Sequence, residues 1–256
     1  MQGHVAPIHD NLCTNTPFDL PMRFNIPIKL PFCATILLAI LLVSLPPLVD
    51  AHNISGSNAR FVEGIEGPAV GAFMYLGAKH MVTGYDHLLF LLGVIFFLYR
   101  ARDILLYVTL FTLGHSITLM SGVLLELQVN VYLIDAIIGL SVVYKAFENI
   151  DGFRQIFGAT FNTQAAVFVF GLFHGLGLAT KLQELAMSDD GLITNIISFN
   201  VGVECGQALA LTFILLVLLK WRQQPSFQDH AFVTNSLLMT AGFALTGYQL
   251  AGYYWI

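Results

Sequence analysis

The sequence predicts an all-α protein: a polytopic membrane helix bundle of six transmembrane helices after an N-terminal signal peptide. Three observations predict it. The 256-residue chain is 56% hydrophobic and only 11% charged, against about 25% charged in soluble domains. Its apolar runs are about 20 residues long, enough for helical crossings and twice the length of an alternating barrel strand. Ionisable side chains sit inside those runs, where membrane proteins keep them for function. The net charge of −5 says little when charges are so few. No basic patch or nucleic-acid motif occurs, so no nucleic-acid partner is expected. Cys13, Cys33 and Cys205 lack pairing or zinc-type spacing, which argues against a disulfide framework.

Taken in order, residues 1–21 are polar and patternless and are expected to be a non-native or misannotated leader. Residues 22–51 resemble a secretory signal peptide. They hold the basic Arg23 and Lys29, an apolar stretch, a break at Pro46-Pro47, and Val49 and Ala51 at the −3 and −1 positions. The alternative is an uncleaved first membrane helix. Residues 52–67 form a polar extracytoplasmic lead, and residues 68–256 the six-helix membrane domain.

The first span, 68–99, is too long for one straight crossing. A lead helix joined to a crossing helix near Gly84 accommodates it, because glycine is a weak helix former and tolerates a bend. The remaining spans are 104–125, 131–147, 165–182, 192–219 and 232–255. Lys and Arg set the orientation. With the mature N-terminus outside, the cytoplasmic loops carry Arg100, Arg102, Lys145, Arg154, Lys220 and Arg222, and the opposite side only Arg60, Lys79 and Lys181. Both termini are therefore expected outside, with Tyr253, Tyr254 and Trp255 as an interfacial anchor.

The polar groups inside the spans are the candidate site. His80 and His87 share a helix face but lie roughly 10 Å apart along a straight helix, too far to bind one ion at metal–nitrogen distances near 2 Å. Either the helix breaks at Gly84 or the two are successive stations. On a continuous helix Asp86 lies about 100° round from His87 and points to a neighbouring helix rather than to the same ion. It could also simply cap the crossing helix together with His87.

His115 stands in the second span, with Thr112 one turn before it. By itself it is as readily inter-helix hydrogen-bond glue as a ligand. In the fourth span His174 lies between Gly171 and Gly175, a spacing that lets a neighbouring helix approach closely. In the fifth, Asn200, Glu204 and Gln207 recur at helical spacing as one polar stripe, beside a second small-residue pair, Gly202 and Gly206. A glutamate there must be protonated, paired or cation-bound, and Cys205 reads as a small apolar filler. The third span places Asp135 near its outer end and Glu148 near its inner end, where Lys145 or Arg154 could pair with it. By depth, His87, His115, His174 and Glu204 can meet in the outer half to middle of the bilayer. Imidazoles with carboxylate and amide oxygens suit Ni²⁺, Co²⁺, Zn²⁺ or Cu²⁺.

These blocks resemble the HupE/UreJ family, in particular its second subgroup. His80, Asp86 and His87 are similar to its first-helix signature. FTLGHSITL (111–119), GLSVVYKAFEN (139–149), FGLFHGLGLA (170–179) and FNVGVECGQ (199–207) follow in order and spacing. The resemblance implies a six-helix protein, often with a cleaved signal peptide, associated with nickel or cobalt uptake. It implies His80, Asp86, His87, His115, His174 and Glu204 as metal-site residues. In one place the chain departs: His174 is followed by Gly-Leu-Gly-Leu-Ala without a second histidine. The resemblance thus implies metal passage rather than a particular metal.

The expected function is a divalent transition-metal permease of the nickel/cobalt type, not an enzyme. The metal (Ni, Co, Zn or Cu) is its substrate and no tightly bound cofactor is expected. Asn200, Gln207, Glu148 and Asp135 form a secondary polar path. Expected partners are membrane lipid and the metal ion, with a homo-oligomer or accessory subunit compatible, and the expected place is the bacterial inner membrane. Two other classes compete: an intramembrane metal-dependent hydrolase, against which the chain lacks HExxH, and a haem-binding redox subunit with histidine axial ligands.

Overall fold

The computed structural model describes residues 64–184 and 190–255. The expected leader, the signal peptide and most of the extracytoplasmic lead lie outside the described residues. Among the described residues there are eight helices and no strand. They are α1 (Val70–Thr83), α2 (Tyr85–Ile95), α3 (Ala101–Leu124), α4 (Val131–Asn149), α5 (Gly152–Phe157), α6 (Thr163–Gln183), α7 (Leu192–Trp221) and α8 (Phe227–Trp255).

The long first segment does break at Gly84. Its φ of −73° and ψ of 104° are extended, and its N–H closes α1 by donating to the His80 carbonyl. The short α5 was not foreseen. It follows Asp151, whose φ of 60° is left-handed, and it seats the Phe153 ring 4.8 Å from those of Tyr144 and Phe147.

Glycines decide which helices pair. Packing couples α1 with α7, α3 with α6, and α4 with α8. In each pair backbones touch where a side chain would intrude. A Cβ on Gly202 would lie 2.1 Å from the Met74 carbonyl oxygen, one on Gly175 2.1 Å from that of His115, and one on Gly139 2.6 Å from Thr246 Oγ1. Small residues allow such approach, and dispersion along the contact then holds helices together without help from water. The shorter α2 threads between these pairs, against α4 above all and also against α1, α7 and α8.

Three helices, α3, α6 and α7, are long and apolar enough to cross a membrane, and α2 is a shorter apolar helix. The outer face of α7 exposes Leu209, Phe213, Leu216 and Val217, while His115, Ser141 and Asn235 are fully buried. Apolar outside with polar groups inside is the pattern of a helical membrane bundle, where unpaired polar groups cannot face lipid.

Interior polar groups mostly hold ends and crossings. Asn195 of α7 accepts from the Ala69 N–H and donates to the Gly67 carbonyl, tying down the start of α1. At the other end of α2, Arg222 donates to the carbonyls of Ile95, Phe96 and Leu98, satisfying acceptors that the finished helix leaves open. Asn149 Nδ2 bridges the Gly93 carbonyl and Asn235 Oδ1, both at 2.8 Å.

Candidate metal centre

The break at Gly84 builds the site. Because α1 and α2 are separate helices, His80 on the last turn of α1 and His87 on the first turn of α2 approach to 5.0 Å between ring centroids. Asp86 also stands in the first turn of α2, where the helix dipole favours a negative charge. The expectation that Asp86 points away from the ion that His87 would bind is corrected here. Its Oδ1 lies 3.1 Å from His87 Nδ1: the two residues stay about 100° apart on the first turn of α2, and their side chains turn toward each other across that angle. A Cβ on Gly84 would come within 2.8 Å of His87 Nδ1 and 3.1 Å of Asp86 Oδ1, so any side chain there must displace the His87 ring.

His174 reaches the same place from α6. Its ring centroid lies 5.0 Å from that of His87, and ligand atoms of Asp86, His87 and His174, all buried, lie within 4.8 Å of one another. The Nδ1 of His174 donates to the Phe170 carbonyl at 2.7 Å, which leaves Nε2 as the nitrogen with the lone pair. His87 is held in the same manner by Asp86. A carboxylate on the far nitrogen orients an imidazole and raises its basicity as a metal ligand. Gly171 and Gly175 do the packing expected of them: each sits against α3 backbone, at the Phe111 and His115 carbonyls.

His115 lies farther off, 6.4 Å from the His87 ring. It is fully buried, and neither ring nitrogen makes a well-aligned hydrogen bond among the described residues. Asn200 stands alongside it, with its own Oδ1 unsatisfied. Gln207 accepts from Thr112 Oγ1 at 2.8 Å, and its Nε2 is likewise unsatisfied. His115 with Asn200 and, about two turns along α7, Gln207 with Thr112 are two further polar pairs near the His/Asp cluster.

Glu204 is not brought to the centre; it is exposed on α7. Helical rotation explains this. Gly202 and Gly206 fix which side of α7 meets α1, and Asn200 and Gln207 fall at the inner edge of the buried arc. Glu204 lies about 40° further round than Asn200 and passes over that edge. Cys205 is exposed as well, so it is not a core filler.

The other two carboxylates are paired. Asp135 Oδ2 receives Lys181 Nζ at 2.7 Å, and Glu148 Oε2 receives Lys145 Nζ at 2.5 Å, so Lys145 rather than Arg154 is its partner.

Sequence reasoning missed the walls. Phe111 packs 4.9 Å from the His174 ring, Phe90 5.6 Å from it, and Phe199 6.1 Å from His80. Phe90 is three residues after His87 and Phe111 four before His115, spacings that put each on its histidine's face. From this chamber a narrow crevice runs along α2 past Leu91 and Val94 to Tyr107, with Gln207 on its side.

The profile of the HupE / UreJ protein family matches residues 57–256. The chain belongs to the HupE/UreJ family. That family is associated with nickel and cobalt transport, and its membership together with the apolar helices marks a membrane protein. Neither the curated proteins nor the solved structures give a match.

Proposed function

We propose that this HupE/UreJ protein is a permease for a divalent transition-metal ion of the nickel/cobalt type, and not an enzyme. The observation that carries the reading is the convergence of Asp86, His87 and His174, whose ligand atoms lie within 4.8 Å of one another inside a membrane bundle. Two neutral imidazoles and one carboxylate are a borderline-soft donor set that favours late first-row divalent ions over Mg²⁺ or Ca²⁺. His80, its ring 5.0 Å from that of His87, is placed to feed the set, and His115 with Asn200 offers an onward station. The narrow crevice shared by His87 and Tyr107 is the route that passage would take.

The same reading takes six membrane spans, with α1 and α2 forming one between them, after a cleaved signal peptide. It places the chain in the bacterial inner membrane with both termini extracytoplasmic. The His/Asp chamber then faces the outer half of the bilayer and Glu148 the cytoplasmic end. The test is accumulation of Ni²⁺ and Co²⁺ in cells expressing wild type and His87→Ala at matched levels. At least a tenfold loss of uptake is expected; equal accumulation in both would reject the permease.

A further inference from the structure

At the far end of the crevice from His87 stands a cluster that the His/Asp chamber does not use. Glu148, on the last turn of α4, takes a hydrogen bond on Oε1 from Thr163, the first residue of α6. Its other oxygen, Oε2, holds Lys145 Nζ at 2.5 Å. Tyr107 of α3 lies beside both Glu148 and Thr163, and Tyr107 also lines the crevice. Tyr144 lies beside Glu148 too, and its buried hydroxyl has no hydrogen-bond partner among the described residues.

Glu148 and Thr163 are thus bonded to each other, and Tyr107 and Tyr144 stand within electrostatic reach of the Glu148 carboxylate, so oxygen-bearing side chains of three helices border this place. The cation now on the Glu148 carboxylate is tethered to the chain. The Lys145 side chain is only 10% exposed, and its stem lies across α2 so closely that a Cβ on Gly93 would meet Lys145 Cγ at 3.2 Å. Gly93 is six residues, about 9 Å, below His87 on the same helix. An ion pair this enclosed exists because each charge needs the other; removing one partner leaves a buried charge uncompensated. A mobile cation that enters by the crevice can take over that role.

We propose that Glu148, Thr163, Tyr107 and Tyr144 form a second, all-oxygen cation station, and that the Lys145 ammonium occupies it until an arriving divalent ion displaces it. This rests on the permease reading, and it gives that reading a self-closing inner end. With no ion present, Lys145 neutralises Glu148 and blocks the cytoplasmic mouth. With an ion present, the ammonium swings away along its flexible stem. The donor set differs in kind from the His/Asp chamber: oxygens alone hold late first-row divalent ions more loosely and with less selectivity than imidazole, which suits release.

The experiment uses the purified full chain and Mn²⁺, an ion that oxygen ligands accept. Calorimetry on Lys145→Met, which keeps the stem over Gly93 and removes the charge, should show one Mn²⁺ site at least tenfold tighter than wild type. The gain should vanish in Lys145→Met/Glu148→Gln and persist in Lys145→Met/His87→Ala. No gain, or a gain that survives Glu148→Gln, overturns the proposal. Wild type supplies a measurement that does not depend on the variants folding. Acylation of the Lys145 amine, read by peptide mass spectrometry, should rise at least threefold under saturating Mn²⁺, and unchanged labelling also overturns it. Neither failure touches Ni²⁺ uptake through His87, whereas failure of the permease itself appears as uptake indifferent to His87→Ala.

Discussion

Asp86 and Gly84 show how much one position decides. Asp86 holds the His87 ring, its Oδ1 3.1 Å from His87 Nδ1, and adds a negative charge to the proposed cation site. Replacing it with asparagine keeps the shape and removes the charge. Loss of a carboxylate that orients a ligating histidine typically costs 10–100-fold in metal affinity, so Asp86→Asn should weaken Ni²⁺ binding by about that factor in calorimetry. Affinity equal to wild type would show that Asp86 neither ligates nor orients. Gly84 acts by its absence of a side chain. Its backbone angles are open to any residue, so Gly84→Ala should fold; but the added methyl, 2.8 Å from His87 Nδ1, must push the ring off Asp86. The expected result is Ni²⁺ binding weakened at least tenfold with the melting temperature little changed, and retained binding with a lowered melting temperature would mean that the glycine serves packing alone. The break itself was legible, since the span 68–99 is too long for one straight crossing and holds Gly84, a weak helix former. The direction of Asp86 was not, because the roughly 100° between neighbouring backbone positions does not fix where two side chains with free rotamers meet.

At the scale of elements, the controlling contact is glycine against backbone. Gly175 faces the His115 carbonyl across the α3–α6 seam, with 2.1 Å to an added Cβ, whereas Gly71 on α1 has nothing within 4 Å of one. The same substitution should therefore have opposite signs at the two positions. Gly175→Ala must wedge open a helix pair that also carries His115 and His174, and overpacking of this kind costs about 1–3 kcal/mol. Gly71→Ala removes backbone freedom without a clash and should stabilise by about 0.5–1 kcal/mol. Reversible unfolding in mixed micelles compares the two, and destabilisation of similar size at both would refute the seam. Both small-residue pairs were visible in the sequence as close-approach signals. Which partner each one meets was not, because a glycine announces that something comes near without naming it. The rotation of α7 was hidden for the same reason: Asn200, Glu204 and Gln207 share a stripe within about 60°, and only the contact with α1 shows that the burial edge falls between Asn200 and Glu204.

At the scale of the whole molecule, the bundle has two dissimilar ends, and the proposed function depends on which faces the cytoplasm. One end carries the Asp135–Lys181 pair and the approach to His80; the other carries Glu148 with Lys145, the α5 helix and Arg222. Lys and Arg in short loops set orientation because they resist translocation. Arg100, Arg102, Arg154, Lys220 and Arg222 all lie at or near the second end, so that end should be cytoplasmic. Uptake from outside then meets the imidazoles first and the oxygens last, the order in which affinity falls toward release. Topology reporters decide it. Alkaline phosphatase joined after Trp255 should be active and a fluorescent protein at the same place dark, while both should invert when placed after Gly158, beyond α5. The reversed pattern would turn the molecule over, make the all-oxygen cluster the entrance, and convert the proposed importer into an exporter.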